Sequence, residues 1–394
     1  MQTPNKTLVI AVLGSTQTLA WGSSYYLAAV LGGPIASGLG LPTSVFFGVY
    51  SVALLLGAAV GPYVGALIDR RGGRAVLALS SLVIAVGLVL LGLAQGIVGL
   101  SAAWLVLGVG MAMGLYDPAF ATLTRLYGRE ARSAITGITL IAGFASTIGW
   151  PASAWFEHVL GWRDACLIWA GVNLLVCLPL NWLVIPPAPP LPRIEPHARA
   201  VEDAEPPRGA MPILVFYFAA TAFVTGALQA QLLRFLHMAG ASETMAIVAG
   251  TLVGPAQVAA RVCEFALMRA VHPVWSARIA AVLHPLGALL LGALGPAGIV
   301  PFAVLYGAGN GMITIAKGTL PLAIFGPAGY GLRNGLLSLP ARLSLSAAPF
   351  LFGMLLDRVG LLAVLLTAGL NLAAFGSLWL LRPKPVPVAA AAGD

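Results

Sequence analysis

Apolar segments long enough to cross a lipid bilayer recur along the whole chain, and they limit its fold more than any other feature. Of the 394 residues, 59% are hydrophobic and 9% are charged, whereas soluble domains carry about 25% charged residues. A transmembrane helix needs roughly 20 apolar residues, and we count about twelve such segments. The runs lack a two-residue alternation, which argues against barrel strands. The sequence therefore predicts an all-α integral membrane protein with about twelve transmembrane helices.

Positive charge is spread over the short loops between these segments. The formal net charge is +8, but the basic residues form no single patch, so we expect no nucleic-acid partner. Lys and Arg collect on the cytoplasmic side of membrane proteins. This rule predicts a multi-pass protein of a cell inner (cytoplasmic) membrane, with both termini in the cytoplasm. In that topology the outer loops hold Arg163, Arg234 and Arg358.

The stretch 65–74 places one acid and three arginines in the turn between the second and third apolar segments. Glycine at the turn allows the chain to reverse, because glycine tolerates positive φ. The spacing G-x-x-x-D-R-x-G-x-R resembles the loop between the second and third helices of the major facilitator superfamily of transporters. An ordinary basic cytoplasmic turn is the alternative interpretation. The fixed positions of the pattern are filled by Gly65, Asp69, Arg70, Gly72 and Arg74.

A proline-rich, charged segment divides the chain into nearly equal halves. Residues 186–212 have too little apolar surface to pack and are predicted to form an extended cytoplasmic linker. Gly254-Pro255 matches Gly61-Pro62 in order, which indicates an internal duplication. The resemblance implies two pseudo-symmetric six-helix bundles, residues 1–185 and 213–394, that rock to expose a central site alternately to each side.

The resemblance also implies a cytoplasmic latch. In the family, the aspartate of the motif meets an arginine at the end of the fourth span and the start of the eleventh. In this sequence the positions are Asp69 with Arg125 or Arg129, near residues 331–333. One departure leaves the driving force open: Trp104 stands where family members commonly carry an arginine that is linked to proton coupling.

Five ionisable residues fall inside or near the middle of predicted spans. Each charge costs about 2.5–3.5 kcal/mol at a helix centre, so such residues are paired, hydrated or bound to a ligand. Arg261 and Glu264 are three residues apart and can neutralise each other. Alignment of the two halves brings Lys317 close to the position that matches Asp117. This pairing leaves Arg342 without a partner, and we therefore expect an anionic substrate. Structural ion pairs and snorkelling side chains are the alternatives.

Polar groups on the first, seventh and tenth spans extend the set of candidates. Helices with many hydrogen-bonding side chains face a cavity or another helix rather than lipid. Candidates for substrate binding or ion coupling are Gln17, Tyr25, Asp117, Gln229, Arg261, Glu264, Asn310, Lys317 and Arg342.

These features predict a monomeric secondary active transporter of a small molecule, with a small organic anion as the expected substrate. Proton coupling through Asp117 is left open. No cofactor or metal is expected, and no nucleophile, base and metal set indicates an enzyme. Two alternatives stay open: a proton-driven exporter of a drug-like cation or metalloid, and a receptor or scaffold that transports nothing. The metalloid alternative depends on Cys166 and Cys177, whose spacing predicts one helix face.

Removing several residues between Arg193 and Arg208 should leave the fold intact, because this segment is too polar to pack. The expected result is an unchanged thermal unfolding midpoint of the purified protein in detergent. Unfolding after a modest deletion would show that the segment is structured.

Overall fold

The structure, a computed structural model, describes residues 5–189, 207, 209–268 and 271–381. These residues form helices joined by short turns, and no strand occurs among them. The prediction of an all-α protein is therefore confirmed. Most of the predicted linker, including the stretch between Arg193 and Arg208, lies outside the described residues.

Sixteen α-helices occur in the described part of the chain, and we number them in order. They are α1 (Lys6–Ser23), α2 (Leu27–Gly38), α3 (Thr43–Arg71), α4 (Arg74–Gly92), α5 (Gly96–Gly114), α6 (Tyr116–Tyr127), α7 (Ala131–Ile141), α8 (Ala145–Leu160), α9 (Trp162–Val172), α10 (Leu178–Leu183), α11 (Ala210–Met238), α12 (Glu243–Leu267), α13 (Pro273–Leu294), α14 (Ile299–Phe325), α15 (Tyr330–Val359) and α16 (Ala363–Ser377).

Eight helical stretches among the described residues are long and apolar enough to cross a membrane. The longest runs from Gly96 to Leu160 and has 65 residues. At 1.5 Å per residue a straight helix of that length measures about 100 Å, against a hydrocarbon core of about 30 Å. A stretch of this kind therefore folds back and contains more than one crossing.

Several predicted spans are interrupted rather than continuous. The first span contains a turn at residues 24–26 between α1 and α2, and the fourth is broken at Leu115 between α5 and α6. In the sixth span a π-helical segment, Asn173–Cys177, separates α9 from α10. Breaks inside membrane helices release backbone groups that must find partners within the protein. Such breaks are common where helices line a cavity or a binding site.

Contacts divide the chain into two compact units. The first unit comprises Met1–Ala204 with Phe325–Ala348, and the second comprises Glu205–Ile324 with Pro349–Asp394. The N-terminal part of α15 therefore packs with the first half of the sequence. No local pattern predicts this assignment, because it depends on contacts between residues that lie more than 200 positions apart.

Within the first unit, α3 and α15 approach each other closely along a line of glycines. A Cβ atom at Gly335 would lie 2.6 Å from the Cα atom of Pro62. A Cβ atom at Gly65 would overlap the carbonyl group of Gly331. At Gly61, one turn before Gly65, nothing lies within 4 Å of an added Cβ atom. Small residues thus let the two backbones come together, as they do in membrane helix pairs generally.

Gly65→Ala should destabilise the first unit by about 1–3 kcal/mol, because the added methyl group meets fixed backbone. Gly61→Ala is the matched control on the same helix and should be neutral or slightly stabilising, since alanine is the better helix former. Thermal unfolding of both variants in detergent measures the difference. Equal midpoints for the two variants would contradict the close approach of α3 and α15.

Candidate functional site

The site in the first unit is built around the break between α5 and α6. Leu115 has an extended ψ of −160°, which ends α5 and starts α6 in a new direction. The Nε2 atom of Gln17, on α1, donates to the carbonyl oxygen of Gly114 at 2.5 Å. The break is thus stabilised by a predicted site residue. Asp117 lies in the first turn of α6, where the partial positive charge of the helix N-terminus favours a carboxylate.

Asp117 forms an ion pair with Arg342 on α15. The Nη2 atom of Arg342 lies 2.9 Å from Oδ2 of Asp117, and the side chains are 24% and 11% exposed. Asn334 Nδ2 donates to the other carboxylate oxygen at 3.3 Å. The expectation that Arg342 lacks a partner was therefore wrong, because α15 packs against the first unit. The pairing of Asp117 with Lys317 stays a prediction.

A group of aromatic rings includes the neighbour of Asp117 in the sequence, Tyr116, and a residue that interacts with Arg342, Tyr25. Trp21 lies 5.2 Å from Tyr25 and 5.0 Å from Tyr116, measured between ring centroids. Tyr25, a predicted site residue, also interacts electrostatically with Arg342. The rings come from four helices, α1, α3, α6 and α8, and from the turn at residues 24–26. We call this set the aromatic cluster: Trp21, Tyr25, Tyr26, Tyr50, Tyr116 and Trp150.

Several buried polar atoms on α1 and α15 have no hydrogen-bond partner within the described part of the chain. They are Oε1 of Gln17, Nε1 of Trp21, Oδ1 of Asn334 and Oγ of Ser338. Buried polar groups without partners are uncommon and costly. Together they offer donors and acceptors to a bound molecule. Sequence reasoning missed Asn334 and Ser338, although polar residues in a membrane helix are the signal that could have found them.

The predicted candidates of the second unit lie in other surroundings. Arg261 is buried, and its Nε donates to the carbonyl oxygen of Gly311 at 3.4 Å. Glu264 is also buried and accepts a hydrogen bond of 2.9 Å from Ser276. The mutual neutralisation of Arg261 and Glu264 stays a prediction. Lys317 lies half-buried on α14.

Asn310 lines a small cavity in the second unit. Its Oδ1 accepts from Thr225 Oγ1 at 3.1 Å. His284 and Asn371 line the same cavity, and each carries a buried atom, Nδ1 and Oδ1 respectively, with no partner among the described residues. Neither residue is among the candidates predicted from the sequence. Gln229, which the sequence did predict as a candidate, is exposed on α11 and lies outside this cavity.

The predicted latch residues lie at the end of α3. The carboxylate of Asp69 accepts hydrogen bonds from the backbone N–H groups of Gly331 and Leu332, at 2.8 and 2.9 Å. These groups belong to the first turn of α15, whose N–H groups have no partner within the helix. Asp69 therefore caps α15, with a charge that suits the helix N-terminus.

Arg125 reinforces this cap by hydrogen bonds to backbone carbonyl groups. Arg125 Nε donates to the carbonyl oxygen of Asp69 at 3.3 Å. Its Nη2 donates to Pro189 at 2.6 Å. Arg129 lies in the 3-10 turn Gly128–Glu130 that follows α6, and Arg70 is exposed at the end of α3. The chain then reverses at Gly72, whose φ of +81° suits glycine.

Trp104 and the cysteines belong to packed surroundings. Trp104 is fully buried, and its ring lies 5.6 Å from Phe46 and 4.8 Å from Tyr50. An apolar ring thus fills the place that an arginine commonly occupies in the family. Cys166 and Cys177 are buried free thiols. Cys177 is the last residue of the π-helical segment, which alters the helical spacing on which the shared face of the two cysteines was predicted.

Comparison with known families and relatives gives concordant matches. The model of the Major Facilitator Superfamily matches residues 12–331. A protein of Thermoproteus tenax, described as an uncharacterized 38 kDa protein in a 23S RNA operon, is 30% identical over 334 residues. The match covers 84% of this chain and 81% of that protein.

Solved structures of transporters share the fold. The human organic anion transporter MFSD10 (TETRAN) has a TM-score of 0.74 at 18% identity, covering 95% of this chain and 100% of that one. The E. coli fucose:proton symporter FucP has a TM-score of 0.73 at 14% identity, covering 95% and 98%. Both are transporters rather than enzymes. The family match spans most of the chain and includes the motif that begins at Gly65. The chain therefore belongs to the major facilitator superfamily of membrane transporters.

Proposed function

We propose that this protein is a secondary active transporter that moves a small organic anion together with a proton. The observation that carries the proposal is the ion pair between Asp117 and Arg342 at the break of a membrane helix. A charge pair in this position costs desolvation energy and marks a pathway in membrane proteins. The pair has one member that titrates and one that stays charged.

The two members have complementary roles in this mechanism. While Asp117 is ionised, it neutralises Arg342 and leaves little attraction for an anion. Protonation of Asp117 removes that negative charge, and the guanidinium is then free to bind a carboxylate bidentately. An anion and a proton therefore bind together and leave together. The unpartnered atoms of Gln17, Trp21 and Asn334 supply further hydrogen bonds to the bound molecule.

The names of two structural relatives support the proposed function. One is an organic anion transporter and another is a fucose:proton symporter. Neither name fixes the substrate of this chain. The names describe the transport of organic anions by one relative and the symport of fucose with protons by the other.

Twelve crossings in two bundles complete the proposed architecture. We propose bundles at residues 1–185 and 213–394, joined by the cytoplasmic linker 186–212, in an inner membrane with both termini in the cytoplasm. The broken helices and the long helical stretches support this count, because pairs such as α5 with α6 together make one span. Alternating exposure of a central site would follow from movement of the bundles.

The aromatic cluster favours a second candidate function. Tyr and Trp faces attract cations, and Asp117 is a carboxylate beside them. A proton-driven exporter of an amphipathic cation would use these groups and exchange the proton of Asp117 for its substrate. The two candidates differ in whether Arg342 or the aromatic faces bind the substrate.

Arg342→Gln should weaken anion binding about 10- to 100-fold, since a hydrogen bond to a charged group contributes about 1.5–3 kcal/mol. Asp117→Asn mimics the protonated acid, so anion exchange should persist while accumulation driven by a pH gradient is lost. Proteoliposomes with labelled benzoate and labelled tetraphenylphosphonium measure both properties. Arg234→Gln is the matched control, because Arg234 also pairs with an aspartate, Asp357, but on the exposed surface.

Retention of benzoate exchange by Arg342→Gln would contradict the anion mechanism. Loss of proton-linked phosphonium flux in Asp117→Asn, with anion flux absent from the parent, would favour the cation exporter. Absence of any flux in the parent would favour a receptor or scaffold.

The capped end of α15 acts as a latch in this mechanism, and Asp69→Asn tests it. The amide keeps the shape but loses the charge and one acceptor, which should weaken the contact by about 1–2 kcal/mol. A balanced two-state equilibrium shifts several-fold with such a change. Spin labels at Arg71 and Ala328 should report a larger population of long distances in the variant. An unchanged distance distribution with normal transport would rule out the latch.

A further inference from the structure

An arginine lies against tryptophan rings at the end of the helices in each unit. In the second unit, the Cζ atom of Arg278 lies 3.8 Å from the ring centroid of Trp379 and 4.8 Å from that of Trp275. Arg278 stands near the start of α13, and Trp379 follows the end of α16. These positions are the two ends of membrane-length segments, where the hydrocarbon meets the head groups.

The first unit repeats this arrangement at equivalent places in the chain. Arg74 is the first residue of α4, and its Cζ atom lies 4.5 Å from the ring centroid of Trp182 in α10. In both halves the arginine opens the third predicted span and the tryptophan closes the sixth. The recurrence of this contact in both halves indicates a shared role.

Both arginines lack a compensating negative charge in the described residues. Arg74 forms no hydrogen bond or ion pair there, and Arg278 donates from Nη2 to the carbonyl oxygen of Leu378 at 3.0 Å. The Nε atoms of both are buried without a partner among those residues. Cation–π contact and one carbonyl group compensate the lost hydration in part only. Arg278 is 4% exposed.

We propose that each arginine–tryptophan pair binds the phosphate of an anionic phospholipid. The phosphate supplies the charge that the protein does not, and it accepts hydrogen bonds in the geometry that a guanidinium offers. The tryptophans extend outward, with Trp182 and Trp379 47% and 54% exposed. Tryptophan rings favour the head-group level of a bilayer, where one edge is apolar and the other is wet. The arginine thus holds the phosphate of the lipid, and the tryptophan rings lie along its glycerol region.

A lipid fits better than a soluble anion because the surroundings are amphipathic. A free phosphate would have to approach beside two exposed indole rings, in a position that acyl chains occupy in the membrane. Basic residues between helix ends attract anionic lipids of the facing leaflet. In the proposed topology both pairs face the cytoplasmic leaflet. The inference depends on membrane insertion in this topology and does not depend on the transported substrate.

Binding of phosphatidylglycerol against phosphatidylcholine tests the proposal on the full-length protein. Native mass spectrometry counts the retained lipids, and thermal unfolding in detergent with each lipid measures stabilisation. The parent should retain phosphatidylglycerol preferentially and show a higher midpoint with it. Arg278→Gln should lower its affinity about fivefold, the effect expected of one arginine near a membrane surface. Inorganic phosphate should give no comparable shift.

Arg163→Gln is the matched control at the opposite end of the helices. Arg163 also lies against a tryptophan, 4.2 Å from the ring centroid of Trp162, but its Nη1 donates to the carbonyl oxygens of Gly92 and Ala94. This variant should keep the preference for phosphatidylglycerol over phosphatidylcholine. Arg278→Lys keeps the positive charge but lacks the planar guanidinium group. It replaces the glutamine variant if that variant fails to fold, and it should bind phosphatidylglycerol more weakly than the parent.

Equal lipid retention in the parent for the two lipids would overturn the proposal. An equal loss of phosphatidylglycerol affinity in the Arg278→Gln and Arg163→Gln variants would also overturn it, because general surface charge would then explain the binding. A midpoint shift by inorganic phosphate as large as that by phosphatidylglycerol would assign the site to a soluble anion.

Discussion

The cost of placing charge and free backbone groups in hydrocarbon governs this molecule. The break at Leu115 would leave the Gly114 carbonyl group without a partner in its own helix, and Gln17 reaches from α1 to supply one. The carboxylate of Asp117 would be unstable alone at this depth, and Arg342 binds it from α15. At this site the free carbonyl group and the buried carboxylate are therefore each matched by a specific partner.

These compensations bring together the parts that a transporter requires. The broken helix places a titratable acid beside a permanent cation, and the turn after α1 places aromatic rings around them. The cap that Asp69 makes on α15 connects the other end of the same helix to α3. Because α15 carries Arg342 and also begins at the Asp69 cap, movement of this helix would affect the ion pair and the cap together.

Interfacial residues follow the same rule by different means. Arg74 and Arg278 stand near helix ends, and the proposed lipid phosphate would supply to them the negative charge that Asp117 supplies to Arg342. Their contacts with tryptophan, repeated in both halves, hold the ends of the third and sixth spans of each half together. With a phospholipid bound at each pair, the bilayer would be a partner of the fold as well as its solvent.

The sequence by itself determined the all-α membrane class, the family and the place of the Asp69 motif, because apolar length and local spacing are properties of neighbouring residues. It also pointed to Asp117 and Arg342 as charges that need compensation. The tertiary structure decided that these two bind each other, that the N-terminal part of α15 packs within the first unit, and that Asn334 joins them. Residues 117 and 342 are 225 positions apart, and a single sequence carries no signal for which distant charges meet. That choice depends on the close packing of α3 and α15 at their glycines.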